Sequence, residues 1–121
     1  MSTRPKHQSR SIECHLGVPR SEAWPAVEAL VDALQPSVRL SVEAPWRLVF
    51  ERDTVDTALS FWEGTLLLRD DGDECHVAFG LVFDPDPSDA GMVEVERTMR
   101  EMAGRLATLP GAESETDERF A

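Results

Sequence analysis

The feature that most constrains the fold of this chain is an alternation of residue types between Cys75 and Phe83. The odd positions are Cys, Val, Phe, Leu and Phe, whereas the even positions are His, Ala, Gly and Val. A period of two residues is typical of a β-strand with one buried face. The turn signal Asp70-Asp71-Gly72-Asp73 directly precedes this segment and predicts a hairpin. Residues 57–69 are therefore the predicted partner strand.

The partner strand is apolar in both phases. Its even positions include Trp62, Leu66 and Leu68, and its odd positions include Leu59, Phe61 and Leu67. Two explanations are open. A bulge at Glu63-Gly64 would exchange the two faces, so that apolar residues of both phases point to the same side. Burial of both faces at a dimer contact would explain the pattern without a bulge.

Three more segments alternate in the same way and predict strands at residues 11–18, 38–43 and 46–51. Apolar residues recur at helical spacing from Trp24 to Leu34 and from Met92 to Leu109, which predicts two amphipathic helices. We expect Ser21 to cap the first helix. Pro25 is expected to separate the first turn from the rest of that helix. Ser88 or Asp89 is the predicted cap of the second, which Pro110-Gly111 ends.

This order of elements predicts an α+β fold with an antiparallel curved sheet. Five to six strands grip a long C-terminal helix, and one short helix region follows the first strand. The length of 121 residues suits a single domain, which we expect over residues 11–110. Residues 1–10 are predicted to be a disordered arm and residues 111–121 an acidic disordered tail.

The formal net charge of −11 argues against partners that are themselves anionic. Such a surface repels phosphate groups, so neither nucleic acid nor an anionic membrane is a predicted partner. No apolar run approaches the roughly 18–20 residues that a membrane span needs. Without a hydrophobic signal segment at the N-terminus, the predicted location is the cytoplasm. The two cysteines are then expected to be free thiols.

The local wording of the chain resembles the START-like, or SRPBCC, superfamily of helix-grip proteins, which includes polyketide cyclases. The resemblance rests on "VPRSEAWPAV", on "APWRLVFER", on the long hairpin "ALSFWEGTLLLRDDGDECHVAFGLVF" and on the amphipathic C-terminal helix. It covers roughly residues 11–109. Here Gln35-Pro36-Ser37 joins the first helix almost directly to the next strand, where usual members have more residues. The resemblance therefore implies a short member with a shallow groove.

The resemblance implies that an apolar small molecule binds between the sheet and the C-terminal helix. Methionines of that helix are candidates for one wall, because thioethers adapt to varied apolar shapes. Aromatic and aliphatic strand residues would form the other. The predicted ligand-binding residues are Trp46, Phe50, Trp62, Phe79, Leu81, Met92, Met99 and Met102. Ordinary core packing is the alternative explanation for the methionine stripe.

Glu63 is the most unusual carboxylate, since it lies between Trp62 and Gly64 in the most apolar strand. An inward Glu63 would have a raised pKa and could serve as an acid or base for cyclase-like chemistry. An outward Glu63 at a bulge is the alternative. No other catalytic residue is predicted, and the chain has no Gly-rich phosphate loop, so no cofactor is expected.

The letters E-C-H occur twice, at Glu13-Cys14-His15 and Glu74-Cys75-His76. Adjacent strand residues point to opposite faces, so both cysteines are predicted to be buried and both histidines to lie outside. If the first and last strands are neighbours, the histidines can approach each other. Zinc usually takes three or four protein ligands, and neither face shows an evident third in the sequence. We therefore predict no metal site.

Two functions from different classes follow, and a free-standing carrier of a lipid or metabolite is a third. In the first, the protein binds an apolar small molecule in its groove, as a cyclase-like enzyme or an accessory protein of small-molecule biosynthesis. In the second, it is a non-catalytic interaction module, a homodimer whose groove is filled by its own side chains. An open groove would favour the first function, and a closed core with an apolar outer sheet face would favour the second.

Overall fold

The computed structural model describes residues 7–35, 37–52 and 57–112, together with the backbone of residues 117–120. Its elements confirm the predicted α+β fold. They are β1 (Gln8–Leu16), α1 (Arg20–Leu34), β2 (Val38–Ala44), β3 (Arg47–Arg52), β4 (Trp62–Asp71), β5 (Glu74–Phe83), α2 (Asp89–Leu106) and β6 (Asp117–Phe120). Within the described residues, no helix is long and apolar enough to cross a membrane.

The strands form one six-stranded sheet in the order β2-β3-β4-β5-β1-β6. Each neighbouring pair is antiparallel. β1 lies beside β5, as the helix-grip resemblance predicts for the first and last strands. Inward residues of the strands and the buried residues of both helices make one hydrophobic core. The sheet therefore has an inner face packed on the helices, and its opposite side is the outer face.

Of the two explanations left open for residues 57–69, the bulge at Glu63-Gly64 is excluded. β4 pairs with β5 without interruption from Trp62 opposite Phe83 to Asp71 opposite Glu74. Trp62, Gly64, Leu66 and Leu68 are all buried on the inner face, so the glycine has another purpose. A Cβ atom there would lie 2.7 Å from Cε2 of Phe50 and 3.1 Å from Cε1 of Phe79. Gly64 leaves room for the rings of its two neighbouring strands.

A bulge is present instead in the edge strand β2. Its register on β3 shifts between Leu40, which pairs with Phe50, and Val42, which pairs with Val49. The extra residue moves Val42 from the inner to the outer face, where its exposed fraction is 39%. A single inserted residue reverses the faces of everything beyond it. Alternation alone had placed Leu40 and Val42 on one face.

Helix α1 is longer and less interrupted than predicted. It runs through Pro25, and its N-cap is Pro19 rather than Ser21. Proline cannot donate a hydrogen bond to the carbonyl four residues earlier, here that of Ser21. Both residues are exposed, so water can solvate that carbonyl and the helix continues. The predicted cap of α2 is confirmed, since the Ser88 hydroxyl accepts a hydrogen bond from the Gly91 amide at 3.1 Å, but the helix ends at Leu106, before the predicted stop at Pro110-Gly111.

The two ends of the chain pair with each other. β1 begins at Gln8, three residues before the predicted strand, and β6 pairs with it from Arg10 opposite Phe120 to Glu13 opposite Asp117. Residues 8–10 and 117–120 are thus strand residues within segments that we expected to be disordered. The remainder of the predicted arm, residues 1–6, and residues 113–116 and 121 of the predicted tail lie outside the described residues.

Asp84 fastens the start of β4 to the end of β5. Its carboxylate accepts hydrogen bonds from the Ser60 amide at 2.9 Å, the Ser60 hydroxyl at 2.9 Å and the Phe61 amide at 2.7 Å. Burial alone would raise the pKa of Asp84, but these hydrogen bonds outweigh it and lower the pKa below its ordinary value. The carboxylate is the form that the fold stabilises.

We predict that Asp84→Asn lowers the free energy of unfolding by about 1–3 kcal/mol at neutral pH, because one amide oxygen cannot replace the charged acceptor. The folded pKa lies below the unfolded value of about 4. This contribution is therefore complete above pH ~4 and is lost as the pH falls through the folded pKa. Denaturant unfolding at several pH values measures it, with the exposed Asp86→Asn as the matched control. An Asp84→Asn deficit that stays constant down to pH ~2.5 would contradict the assignment.

A second prediction concerns Gly64. Replacing it with alanine should cost about 1–3 kcal/mol, because the added methyl group displaces the rings of Phe50 and Phe79. Gly80 is the matched control, since it lies on the outer face of β5 with nothing within 4 Å of an added Cβ atom. Gly80→Ala should be neutral or slightly stabilising. Equal losses in the two variants, measured by denaturant unfolding, would show that the ring contacts do not matter.

Candidate functional site

A groove of about 270 Å³ opens between the C-terminal end of α1 and the C-terminal half of α2. Its base is formed where β2 begins, β3 ends and β4 begins. The apolar lining residues are Ala33, Leu34, Val38, Trp62 and Met102, and the polar ones are Gln35, Ser37, Arg52, Thr98, Glu101 and Arg105. The groove therefore combines an apolar wall with a group of hydrogen-bond donors and charged residues.

Two donors at this groove lack a partner. The indole Nε1 of Trp62 and the guanidinium Nε of Arg105 are buried atoms without a hydrogen-bond partner among the described residues. Trp62 is only 6% exposed, so water reaches its N–H poorly. Buried polar atoms normally have a partner. Both residues line the same groove, so this groove has two hydrogen-bond donors without a partner among the described residues.

Two of the charged side chains of the groove, Glu101 and Arg105, are neighbours on α2. A guanidinium nitrogen of Arg105 lies 3.9 Å from a carboxylate oxygen of Glu101, one helical turn away. Arg52 adds a second cation from the end of β3. The groove therefore carries two guanidinium groups and one carboxylate within a protein of strongly negative net charge.

The predicted ligand-binding residues divide into two groups. Trp62 and Met102 line the groove, whereas Phe50, Phe79 and Leu81 are fully buried. The ring of Phe50 packs at 5.7 Å from that of Trp62 and at 6.2 Å from that of Phe79, between centroids. These rings fill the interior behind Trp62. Much of the space that the sequence assigned to a ligand is therefore occupied by the protein itself.

The remaining predicted ligand-binding residues are absent from the groove lining as well. Met99 is buried in the core and Met92 is partly buried. Trp46 lies in the turn between β2 and β3, where its ring packs at 5.7 Å from that of Trp24 and 4.4 Å from the Arg20 guanidinium carbon. Its φ of 66° is unusual for a bulky residue. Trp46 thus joins α1 to the sheet.

Glu63, the candidate acid or base, lies on the outer face. Its neighbours Trp62 and Gly64 point inward, and Glu63 stands opposite Glu51 on β3 and Val82 on β5. The predicted acid–base role required an inward side chain beside the apolar groove. The regular register of β4 removes Glu63 from it.

Both cysteines are buried on the inner face, as predicted. Burial raises the pKa of the Cys75 thiol, the negative charge of Asp70 raises it further, and Arg20 opposes this. A raised pKa keeps the sulfur protonated and unreactive. The histidines lie on the opposite side, so neither cysteine has an imidazole base.

The outer face holds a cluster that the sequence reasoning missed. His15 stands directly opposite His76, and one ligand atom from each of these and from Asp71 lie within 4.8 Å of one another. The outer face therefore holds a third possible ligand, Asp71, which was not evident in the sequence. Asp71 is the last residue of β4 and pairs with Glu74, so the alternation of that strand places it on the outer face. The spacing of Asp71 and His76 was visible in the sequence, but the exact cross-strand register was not.

The polar residues of the groove were missed for a different reason. Thr98, Glu101, Met102 and Arg105 recur at steps of three and four along α2. In the sequence, Glu101 and Arg105 are charged residues outside the apolar stripe, a position that is typical of a solvent-exposed helix face. The position of α1 beside α2 turns this flank into a groove wall.

Comparison with known proteins supports the fold. No protein-family model and no curated protein matches the chain. An uncharacterised protein from Bacillus thuringiensis covers 83% of this chain and 95% of its own length, with a TM-score of 0.58 and 13% identity. A protein from Thermobifida fusca covers 78% and 83%, with a TM-score of 0.50 and 18% identity.

A further alignment joins this chain to an aromatase/cyclase from a Streptomyces species. It covers 79% of this chain and 83% of the other, with a TM-score of 0.43 and 10% identity. The similarity to the proteins from Bacillus thuringiensis and Thermobifida fusca shows a shared fold alone, and a fold does not determine function. The function must therefore be argued from the groove itself.

Proposed function

We propose that the protein binds a small molecule with an apolar body and a hydrogen-bond acceptor in the groove between α1 and α2. The observation that carries this proposal is the pair of buried, unpartnered donors, Trp62 Nε1 and Arg105 Nε, at one groove. A ligand acceptor that reaches either donor would supply the partner that it lacks among the described residues. The START-like resemblance of the sequence supports a small-molecule role at this place.

The energetics favour an acidic acceptor. A buried donor without a partner costs about 1–3 kcal/mol, and a hydrogen bond to a charged group contributes about 1.5–3 kcal/mol. A carboxylate matches the planar guanidinium of arginine better than a neutral acceptor does. Arg52 and Arg105 on the lining add favourable charge. We therefore expect a carboxylate or a similar anion on the ligand.

The volume limits the size of the ligand. Sites for drug-sized molecules usually measure about 300–1,000 Å³, and this groove measures about 270 Å³. Phe50 and Phe79 occupy the interior beyond Trp62. A compact molecule of one or two rings fits this space, whereas a long polyketide chain does not.

Binding takes precedence over catalysis in this proposal. Among the described lining residues, Glu101 is the single carboxylate, and it is exposed and lies near Arg105. An ion-paired, solvated carboxylate is a poor general acid at neutral pH. We therefore favour an accessory or carrier role in small-molecule metabolism over cyclase-like chemistry.

A second candidate function is the dimeric interaction module. The outer face of the sheet supports it, because half-buried apolar residues of neighbouring strands lie there. They are Val49, Leu67, Ala78 and Val82, of which Leu67 stands directly opposite Ala78. A second copy paired on this face would cover Leu67, the one apolar residue of β4 that points outward.

The indole N–H resonance of Trp62 in nitrogen-labelled protein tests the first proposal, with assignment by Trp62→Phe. We expect naphthoate to shift this resonance and to bind at least ~10-fold more tightly than methylnaphthalene, since a charged hydrogen bond is gained. Arg105→Met should abolish that preference. Arg100→Met is the matched control, because Arg100 is an exposed residue of the same helix outside the groove lining.

The indole resonances of Trp24 and Trp46 serve as internal references, since neither residue lines the groove. If no member of a panel of small aromatic and aliphatic acids shifts Trp62 ahead of these two, the binding proposal fails. A solution mass of two chains in that case would favour the interaction module. An equal effect of Arg100→Met and Arg105→Met would show that only the overall charge matters.

A further inference from the structure

The outer face of the sheet carries a group of possible metal ligands at the hairpin end of β4 and β5. His15 of β1 and His76 of β5 are direct cross-strand partners, and their ring centroids are 5.0 Å apart. Paired residues on adjacent strands hold their Cβ atoms about 4.5–5.5 Å apart. The sheet therefore fixes both imidazoles beside each other without help from a loop.

Each imidazole already faces a carboxylate. His15 Nε2 lies 2.8 Å from Oε2 of Glu74, and His76 Nε2 lies 3.3 Å from Oδ2 of Asp71. Asp71 and Glu74 are themselves opposite each other at the two ends of the turn. Gly72 has a φ of 67°, which a tight two-residue hairpin turn requires. The turn thus brings both carboxylates to the two histidines.

We propose that His15, His76 and Asp71 form a binding site for a divalent transition-metal ion, zinc above all, with Glu74 as the fourth ligand. Two imidazoles and two carboxylates are a donor set that zinc accepts in tetrahedral geometry. Nitrogen and oxygen ligands also suit cobalt and nickel of the same charge. Calcium and magnesium are disfavoured, because they prefer oxygen ligands alone.

The distances agree with this assignment. With metal–ligand bonds of about 2.0–2.2 Å, two ligand atoms of a tetrahedral site lie ~3.3–3.6 Å apart. The two imidazole–carboxylate distances are 2.8 and 3.3 Å, and the three ligand atoms of His15, Asp71 and His76 lie within 4.8 Å of one another. Small side-chain rotations reach the required separations. Both carboxylate side chains are half-exposed or more, so such rotations are unhindered.

The surrounding charge favours a cation. Asp70 and Glu13 line the shallow depression beside Asp71 and His76. The one arginine of that lining, Arg69, has its guanidinium 3.8 Å from Glu13, so its charge is partly compensated. A metal ion would take the place of the proton that each imidazole shares with its carboxylate. No covalent or redox step is involved.

The site is separate from the groove. Its ligands are on the outer face, whereas Trp62 and Arg105 belong to the inner side of the sheet. Metal bound there would join β1 to the β4–β5 hairpin and stabilise the sheet. Loss of one site leaves the other intact, so the two proposals succeed or fail independently.

Isothermal titration of the metal-free protein with zinc alone tests the proposal. We expect one ion per chain, at least ~10-fold weaker binding in His15→Ala, His76→Ala and Asp71→Asn, and a higher melting temperature with zinc. His7→Ala and Asp73→Asn are the matched controls, since both residues are exposed and outside the cluster. Both controls should bind zinc as the parent protein does.

Cobalt provides a measurement that needs no variant. Bound cobalt should show the intense visible bands of tetrahedral coordination, and the ring resonances of His15 and His76 should change while those of His7 do not. A pale, octahedral spectrum, or equal changes at all three histidines, would overturn the proposal. So would zinc affinity that is unchanged in a folded His76→Ala variant, or absence of stoichiometric binding by the parent protein.

Discussion

The unbroken antiparallel pairing of β4 with β5 is the constraint on which the rest of the structure depends. Side chains alternate along paired strands, so this register determines which residues enter the core and which stay outside. A slip of one residue would expose Leu66, Leu68 and Phe79 and would bury charged neighbours, at a cost of several kcal/mol. Gly64 makes the register possible, because it leaves space for the rings of Phe50 and Phe79. Asp84 then secures the start of β4 through hydrogen bonds to Ser60 and Phe61.

The same register divides the chemistry of the protein between two faces. On the inner side, Trp62 is the first residue of β4, and its buried indole borders the groove that α1 and α2 close. On the outer side, His76 and His15 stand opposite each other beside the hairpin turn. The inner site offers hydrogen-bond donors to an anionic, apolar molecule, and the outer site offers imidazole and carboxylate groups to a cation. The proposed ligands have opposite charge, and neither site uses the residues of the other.

Alternation and helical periodicity were sufficient to predict the fold class, the hairpin and the inward cysteines, and the helix-grip resemblance implied the proximity of β1 to β5. They failed where a single residue changes the geometry. The bulge in β2 moved Val42 outward, and Pro25 did not interrupt α1 because its face is exposed. The candidate site was harder to predict. The sequence pattern is typical of a solvent-exposed Arg105, and only the position of α1 makes this residue part of a groove. The sequence is compatible with Phe50 and Phe79 either as walls of a pocket or as core residues. Only the three-dimensional packing distinguishes the two roles. The pairing of β4 with β5 and of β5 with β1 brings Asp71 close to His76 and His15, which one-dimensional spacing does not show.

The reactivity of the two thiols tests this division of faces most directly. Cys14 and Cys75 are at most 1% exposed, so a thiol-specific reagent such as Ellman's reagent should not modify them in the folded protein. Both thiols should react only as fast as the protein unfolds, at least ~100-fold more slowly than in denaturant. Rapid, stoichiometric modification of either cysteine in the folded protein would contradict it. That result would turn the cysteines outward and the histidines inward, and both proposed sites would be lost.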